Sequence, residues 1–387
     1  MKFIINSLAS SLVNFLVVLL YFTTDKDEYG AFIVVYSLHQ FSTLFFNIKL
    51  DFSLAEVNYS DILLDWYRYF VPSLFFFSLP YLLVLFFLFK FNLIYSIFFY
   101  FSLVLFSGYS FLVVYHLFDR YYLGIFLKTV FPGTLSFLIF ILKFNPINAL
   151  FISAIASFII CYLFTRKLHE IRSSDASYAN NFFQAILQRR VILFSSLLDN
   201  ISLFIPVFAI SVFFGNIILS DYSFFTKVLL LPQLLFSVSL TNYLQLNYEK
   251  FRKNWNLSNL FFTISVIFSL FISSYTFLFF FSTNFLSNFI DKTIFPFSFK
   301  ISFLLICYYS IRFLVNPASV ILILSKNYSL LGKVQLVLLL CELVSLIPFV
   351  LLNLNFNHFL LLNSCLGIFG YLFYLKSIIG TLIHENV

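Results

Sequence analysis

The sequence predicts an all-α integral membrane protein: about twelve transmembrane helices in two six-helix lobes around a central cavity. Three observations predict it. Of the 387 residues, 61% are apolar, about 236, and a membrane-spanning helix uses roughly 20. Only 10% are charged, against about 25% in soluble domains, too few to cover a soluble surface. Polar residues do not alternate along the chain as a β-barrel lumen requires. Soluble enzymes and disordered chains are thereby excluded.

Apolar runs bounded by charged or turn-forming residues place the spans, in order, at 3–22, 29–48, 69–89, 93–118, 121–142 and 147–165. After a polar stretch come 191–214, 217–243, 257–282, 298–324, 328–352 and 357–378. The first run is long and lacks a small-x-small cleavage site, so it reads as a span and not a leader. The longest polar stretch, 166–190, separates an N-terminal lobe (1–165) from a C-terminal lobe (191–387). Its end, Asn181 to Arg190, reads as a solvated linker that sets topology, with a short interfacial helix as the alternative. Six spans per lobe is an even number, which makes the halves parallel repeats. Glu28-Tyr29-Gly30-Ala31-Phe32 and Asp221-Tyr222-Ser223-Phe224 open the second span of each half in a similar way.

Orientation follows from the basic residues. Fifteen Lys and Arg fall on the side of the N-terminus, five on the opposite side, and three (Lys128, Lys227 and Arg312) within spans. Both termini are therefore expected in the cytoplasm. The net charge of +7 is spread over loops, as a topology signal is, and does not suggest a nucleic-acid partner.

No loop is long enough for a nucleotide-binding or catalytic domain, and no phosphate-loop, H-E-x-x-H or G-x-S-x-G motif occurs. The five His show no metal spacing, and no cofactor is expected. Cys161, Cys307, Cys341 and Cys365 lie in apolar runs and read as small buried hydrophobes.

Polar groups in a span face other helices or a cavity. Ser7, Ser10, Ser11 and Asn14 line one face of the first span; Tyr36, Gln40, Thr43 and Asn47 stripe the second. Ser195, Ser196, Asp199 and Asn200 sit together on the seventh. They read as cavity-lining residues, with helix–helix hydrogen bonding as the alternative. Five charges within spans need partners: Lys128, Asp199, Lys227, Arg312 and Glu342. Asp199 with Lys227, and Arg312 with Glu342, are candidate structural ion pairs. In a wet cavity the cations would instead attract phosphate, and the acids would carry a coupling ion. Pro132, Pro206, Pro232, Pro317 and Pro348 lie within spans, where they kink or break helices.

Taken together, the local patterns resemble a known family. Asp27-Glu28-Tyr29-Gly30-Ala31-Phe32, then Lys49 and Asp51, resemble the start of bacterial polysaccharide-unit flippases, the Wzx-type O-antigen translocases. Leu198-Asp199-Asn200-Ile201-Ser202 with Pro206 and Gly215 is similar to the family's seventh span. Tyr222 with Lys227 and Pro232 is similar to the eighth, and Asn316-Pro317-Ala318-Ser319 with Lys326 to the end of the tenth. The family sits in a superfamily with the MATE multidrug exporters and the lipid II flippases. The resemblance implies that an undecaprenyl-pyrophosphate-linked oligosaccharide is moved across the bacterial inner membrane, with membrane lipids and other glycan-assembly proteins as partners. On that reading Lys227, Arg312 and Lys128 meet the pyrophosphate, Asn14, Gln40 and Asn200 the sugars, and Asp199 and Glu342 couple an ion gradient. The cations that lipid II flippases carry on their first helix have no counterpart here. Two other readings stand beside it: a MATE-like exporter of small cations, and a membrane-embedded polysaccharide polymerase or glycosyltransferase.

Overall fold

A computed structural model describes residues 24–47, 93–119, 121–165, 178–227, 229–230, 299–319, 321–322, 325, 327–352 and 355–384. The expected spans 3–22, 69–89 and 257–282, Asn14, and 217–243 beyond residue 230 lie outside the described residues. Within them the chain is helical, with no strand. Its elements are α1 (Lys26–Asn47), α2 (Leu93–Asp119), α3 (Tyr121–Phe140), α4 (Pro146–Phe164) and α5 (Tyr178–Phe214). There follow α6 (residues 216–227), α7 (Phe299–Ala318), α8 (Tyr328–Leu352) and α9 (Phe356–His384). Among the described residues, six helices contain a stretch long and apolar enough to cross a membrane: α2, α3, α4, α5, α8 and α9. The chain is a multi-pass helical membrane protein.

Local chemistry sets the helix ends. Asp25 Oδ1 accepts the Asp27 N–H at 2.8 Å, and Asp27 and Glu28 in the first turn of α1 suit its positive pole. Asn145 caps α4 by accepting the Ile147 N–H at 3.0 Å, and Pro146 in the first turn has no N–H to leave unpaired. Asn327 and Asn355 cap α8 and α9 in the same way, accepting from Leu330 at 3.3 Å and His358 at 3.1 Å. Gly215, at φ +87°, makes the left-handed turn between α5 and α6 that a side chain would resist.

One boundary differs from the sequence reading. α5 starts at Tyr178, so the 178–190 half of the polar stretch is helical. The segment Ala-Asn-Asn-Phe-Phe-Gln-Ala-Ile-Leu-Gln-Arg-Arg is rich in good helix formers, but its polarity hides it from a hydropathy reading. The expected span 298–324 ends as a continuous helix at Ala318, directly after Pro317.

The chain divides into two units within α5, at Leu197/Leu198. In the first unit α2 packs against α1, α3 and α4. α4 offers α2 and α3 a face of small residues, Ala149, Ser153, Ser157 and Cys161, each one turn apart and all buried. Such residues let membrane helices approach closely. Phe99, Phe106, Phe131 and Phe151 fill the space between helices, with ring centroids of Phe99–Phe151 and Phe106–Phe131 at 5.2 and 4.8 Å. In the second unit α9 packs against both α7 and α8. Gly367 and Gly370 permit this: a Cβ at Gly370 would meet the Leu338 side chain of α8 at 2.8 Å.

The cysteines divide. Cys161 and Cys341 are buried as expected and Cys307 is half-buried, but Cys365 is exposed, on the side of α9 away from its neighbours.

Candidate functional site

Three helix faces of the second unit bring polar residues together. On α8, Glu342 and Ser345 are one turn apart. On α9, Asn363, Gly367 and Tyr371 recur every four residues. On α7, Tyr308 and Arg312 share a face, with Tyr309 beside them. Glu342 is 6% exposed, so its carboxylate depends on protein partners. Asn363 Nδ2 donates to Glu342 Oε2. The Tyr308 hydroxyl contacts Glu342 Oε1 at 3.4 Å. Asn363 Nδ2 also donates to Ser345 Oγ at 3.1 Å, and the Ser345 hydroxyl donates to the Glu342 carbonyl at 2.6 Å.

Arg312 lies in the same unit. Its guanidinium carbon is 5.7 Å from the centroid of the Tyr309 ring, a cation–π distance. Its Nε is buried without a hydrogen-bond partner among the described residues. It interacts electrostatically with Asp199 on α5, with Glu342, and with Tyr308, Tyr309 and Tyr371. Tyr222 and Thr226 of α6 lie beside Tyr309, so that helix joins the cluster as well.

The expected site residues distribute as follows. Asp199, Arg312 and Glu342 fall in one electrostatic cluster. Asn200 is half-buried beside Asp199, and Lys227 is half-buried beside Thr226. Lys128, on α3, and Gln40, on α1, are half-buried in the first unit, where Gln40 is hydrogen-bonded to Tyr36. The pairing proposed from spacing changes in detail: the hydrogen bonds on the Glu342 carboxylate come from Tyr308 and Asn363, while Arg312 is in reach of two acids.

The sequence reading missed Tyr308, Ser345, Asn363 and Tyr371. A local signal existed for two of them: Tyr308 stands one turn before Arg312 and Ser345 one turn after Glu342, while Asn363 and Tyr371 have no charged residue at that register on α9. It also missed a buried pair in the first unit. His39 Nδ1 donates to the Val35 carbonyl at 3.0 Å, which leaves Nε2 to accept from the Ser102 hydroxyl at 2.5 Å. Among the described residues no three His, Cys, Asp or Glu converge as a metal site.

With this geometry in place, one comparison is informative. The fold is that of a solved transporter. That structure is described as the inward-facing conformation of a multidrug resistance MATE family transporter of the MOP superfamily. The match has a TM-score of 0.54 at 12% identity and covers 98% of this chain and 93% of the transporter. At that identity the likeness is one of fold. No protein-family model matches the sequence, and no curated protein does.

Proposed function

We propose that this protein is an alternating-access transporter that carries an undecaprenyl-pyrophosphate-linked oligosaccharide from the cytoplasmic to the periplasmic leaflet of a bacterial inner membrane, driven by an ion gradient. The observation that carries the reading is a cluster of charges and tyrosines within apolar helices, with Glu342 and the tyrosines buried and Asp199 and Arg312 half-buried, in a fold shared with a transporter. Pyrophosphate and sugars cross hydrocarbon only where protein groups replace their water. Arg312 offers a guanidinium suited to phosphate oxygens, and Lys227 and Lys128 add charge. Asn14, Gln40 and Asn200 are the groups for sugar hydroxyls. Asp199 and Glu342 couple the ion.

A second reading has a specific observation in its favour. The structural match is to a multidrug resistance transporter, and a MATE-like exporter of small cations would use Asp199 and Glu342 as substrate anions. The experiment that separates the readings is the sidedness of lipid-linked oligosaccharide in a deletion strain, together with dye export from the same cells. Cytoplasmic accumulation reversed by the returned gene supports the flippase. Normal translocation with lost dye export supports the exporter. Normal translocation with single units left unpolymerised at the surface points to a polymerase and removes both.

A further inference from the structure

Pro132 sits inside α3 and has no N–H to give to the carbonyl four residues earlier, which belongs to Lys128. The neighbouring α2 supplies a hydroxyl at that point. Tyr109, 5% exposed, donates its one hydroxyl hydrogen to the Leu127 carbonyl at 2.8 Å, with the Lys128 carbonyl at 3.3 Å. The Phe131 N–H reaches the same hydroxyl oxygen at 3.4 Å. In a regular helix Leu127 and Phe131 are the acceptor and donor of one step of the ladder. A phenol from α2 therefore touches both ends of that step and also the carbonyl that the proline leaves over. A side chain set into the ladder is a known cause of a kink.

The residues around this point are built to yield. Thr129 Oγ1 donates to the Phe126 carbonyl at 2.7 Å, and Thr134 Oγ1 to the Phe131 carbonyl at 2.9 Å. Side chains that bond back to their own helix bend it. Gly133, a poor helix former, follows Pro132 directly, and among the described residues nothing lies within 4 Å of where its Cβ would be. The pivot itself is held. The Phe131 ring packs against Phe106 and Tyr109 with centroids 4.8 and 5.9 Å apart, and Leu127 and Leu135 are fully buried.

We propose that residues 128–133 are a hinge of α3 and that the Tyr109 hydroxyl is its catch. In one bend the hydroxyl donates to the Leu127 carbonyl, as it does here. In the other it passes to the Lys128 carbonyl, and α3 pivots about Phe131 as it does so. No covalent bond changes. One hydrogen bond is exchanged for another of the same kind, so both bends are populated at rest. The proposal rests on the alternating-access part of the transporter reading and gives the first unit a moving part of its own. The turn that moves carries Lys128, one of the cations offered to pyrophosphate. Each passage of the hydroxyl swings that side chain relative to α2, which packs against α1 and α4.

The test is pulsed electron double resonance on the full-length protein in lipid nanodiscs. Cys161, Cys307, Cys341 and Cys365 are replaced by alanine, and spin labels are attached through Tyr122→Cys and Phe137→Cys. Both positions are exposed, at 66% and 50%. They flank the hinge about 22 Å apart along the helix. The expected result is two label distances while Tyr109 and Pro132 are in place. Tyr109→Phe removes the catch and should merge the two into one broad distribution. Pro132→Ala returns an N–H to the Lys128 carbonyl and should leave one narrow distance. A single narrow distance with both residues in place overturns the proposal, as does a pair of distances that Tyr109→Phe leaves unchanged. If Tyr109→Phe does not reach the membrane, Pro132→Ala decides: collapse to one distance supports the hinge, and two surviving distances overturn it. The sidedness of lipid-linked oligosaccharide in cells carrying the same variants keeps the two readings apart. Distances that respond to both substitutions without any translocation support the hinge and remove the flippase. Normal translocation with one fixed distance removes the hinge and leaves the flippase.

Discussion

Gly367 on α9 lies directly under the ring of Tyr308 on α7. A Cβ at position 367 would overlap Tyr308 Cε2 and come within 2.8 Å of Cδ2, so the ring would have to move. The same ring carries the hydroxyl that meets Glu342. The absence of a side chain on one helix thus positions a hydrogen-bonding group for a second helix and a carboxylate on a third.

Gly367→Ala is therefore expected to destabilise the protein by about 1–3 kcal/mol, the usual cost of overpacking. Gly332→Ala is its control: among the described residues nothing lies within 4 Å of a Cβ there, and α8 should gain up to about 1 kcal/mol from the better helix former. Thermal unfolding in detergent measures both. Equal midpoints for the two variants would show that the α7–α9 contact does not constrain Tyr308.

Asn363 spends two hydrogens on two acceptors, so its loss strands both. Asn363→Ala should cost about 1–3 kcal/mol, the usual penalty for buried polar groups left unsatisfied. Combined with Glu342→Gln, the effects should be non-additive by about 0.5–3 kcal/mol, because the residues share one network. A double-mutant cycle on unfolding free energies reads this directly; strict additivity would mean that the contact contributes nothing.

These residues also mark where sequence reading stops. Helix positions were legible because hydropathy and caps are local: the span expected at 93–118 is α2 at Leu93–Asp119, and Asn145-Pro146 announces α4. The start of α5 at Tyr178 was legible only as the alternative of a short interfacial helix over Asn181 to Arg190, because a polar helix leaves no apolar run. Glu342 and Arg312 stood out as charges in apolar surroundings. Tyr308 and Asn363 did not: Tyr counts as apolar in a hydropathy reading, and each residue's contact with Glu342 spans 34 and 21 positions respectively. Such pairings arise from how α7, α8 and α9 pack, which no local pattern encodes.

The proposed flippase makes the cations testable. Lys227→Ala and Arg312→Gln should each abolish surface polysaccharide while leaving the protein at its normal level in the membrane. Immunoblotting of membranes alongside extraction of the glycan checks both. Normal polysaccharide in either variant would remove that residue from pyrophosphate recognition.

The buried pair in the first unit gives a prediction independent of any transport reading. His39 is fully buried, with the rings of Phe99 and Phe106 centred 4.9 and 5.5 Å from its own. Its Nδ1 hydrogen goes to the Val35 carbonyl, and its Nε2 accepts from Ser102. Ser102→Ala removes that donor from a buried acceptor, at an expected cost of about 1–3 kcal/mol. Replacing both partners, with His39→Leu and Ser102→Ala together, removes the acceptor as well and places an apolar side chain against two phenylalanines. The double variant should therefore be more stable than Ser102→Ala alone. Thermal unfolding of the three proteins decides it: a double variant less stable than the single one would mean that the imidazole contributes through its packing and its Val35 bond more than its Nε2 costs.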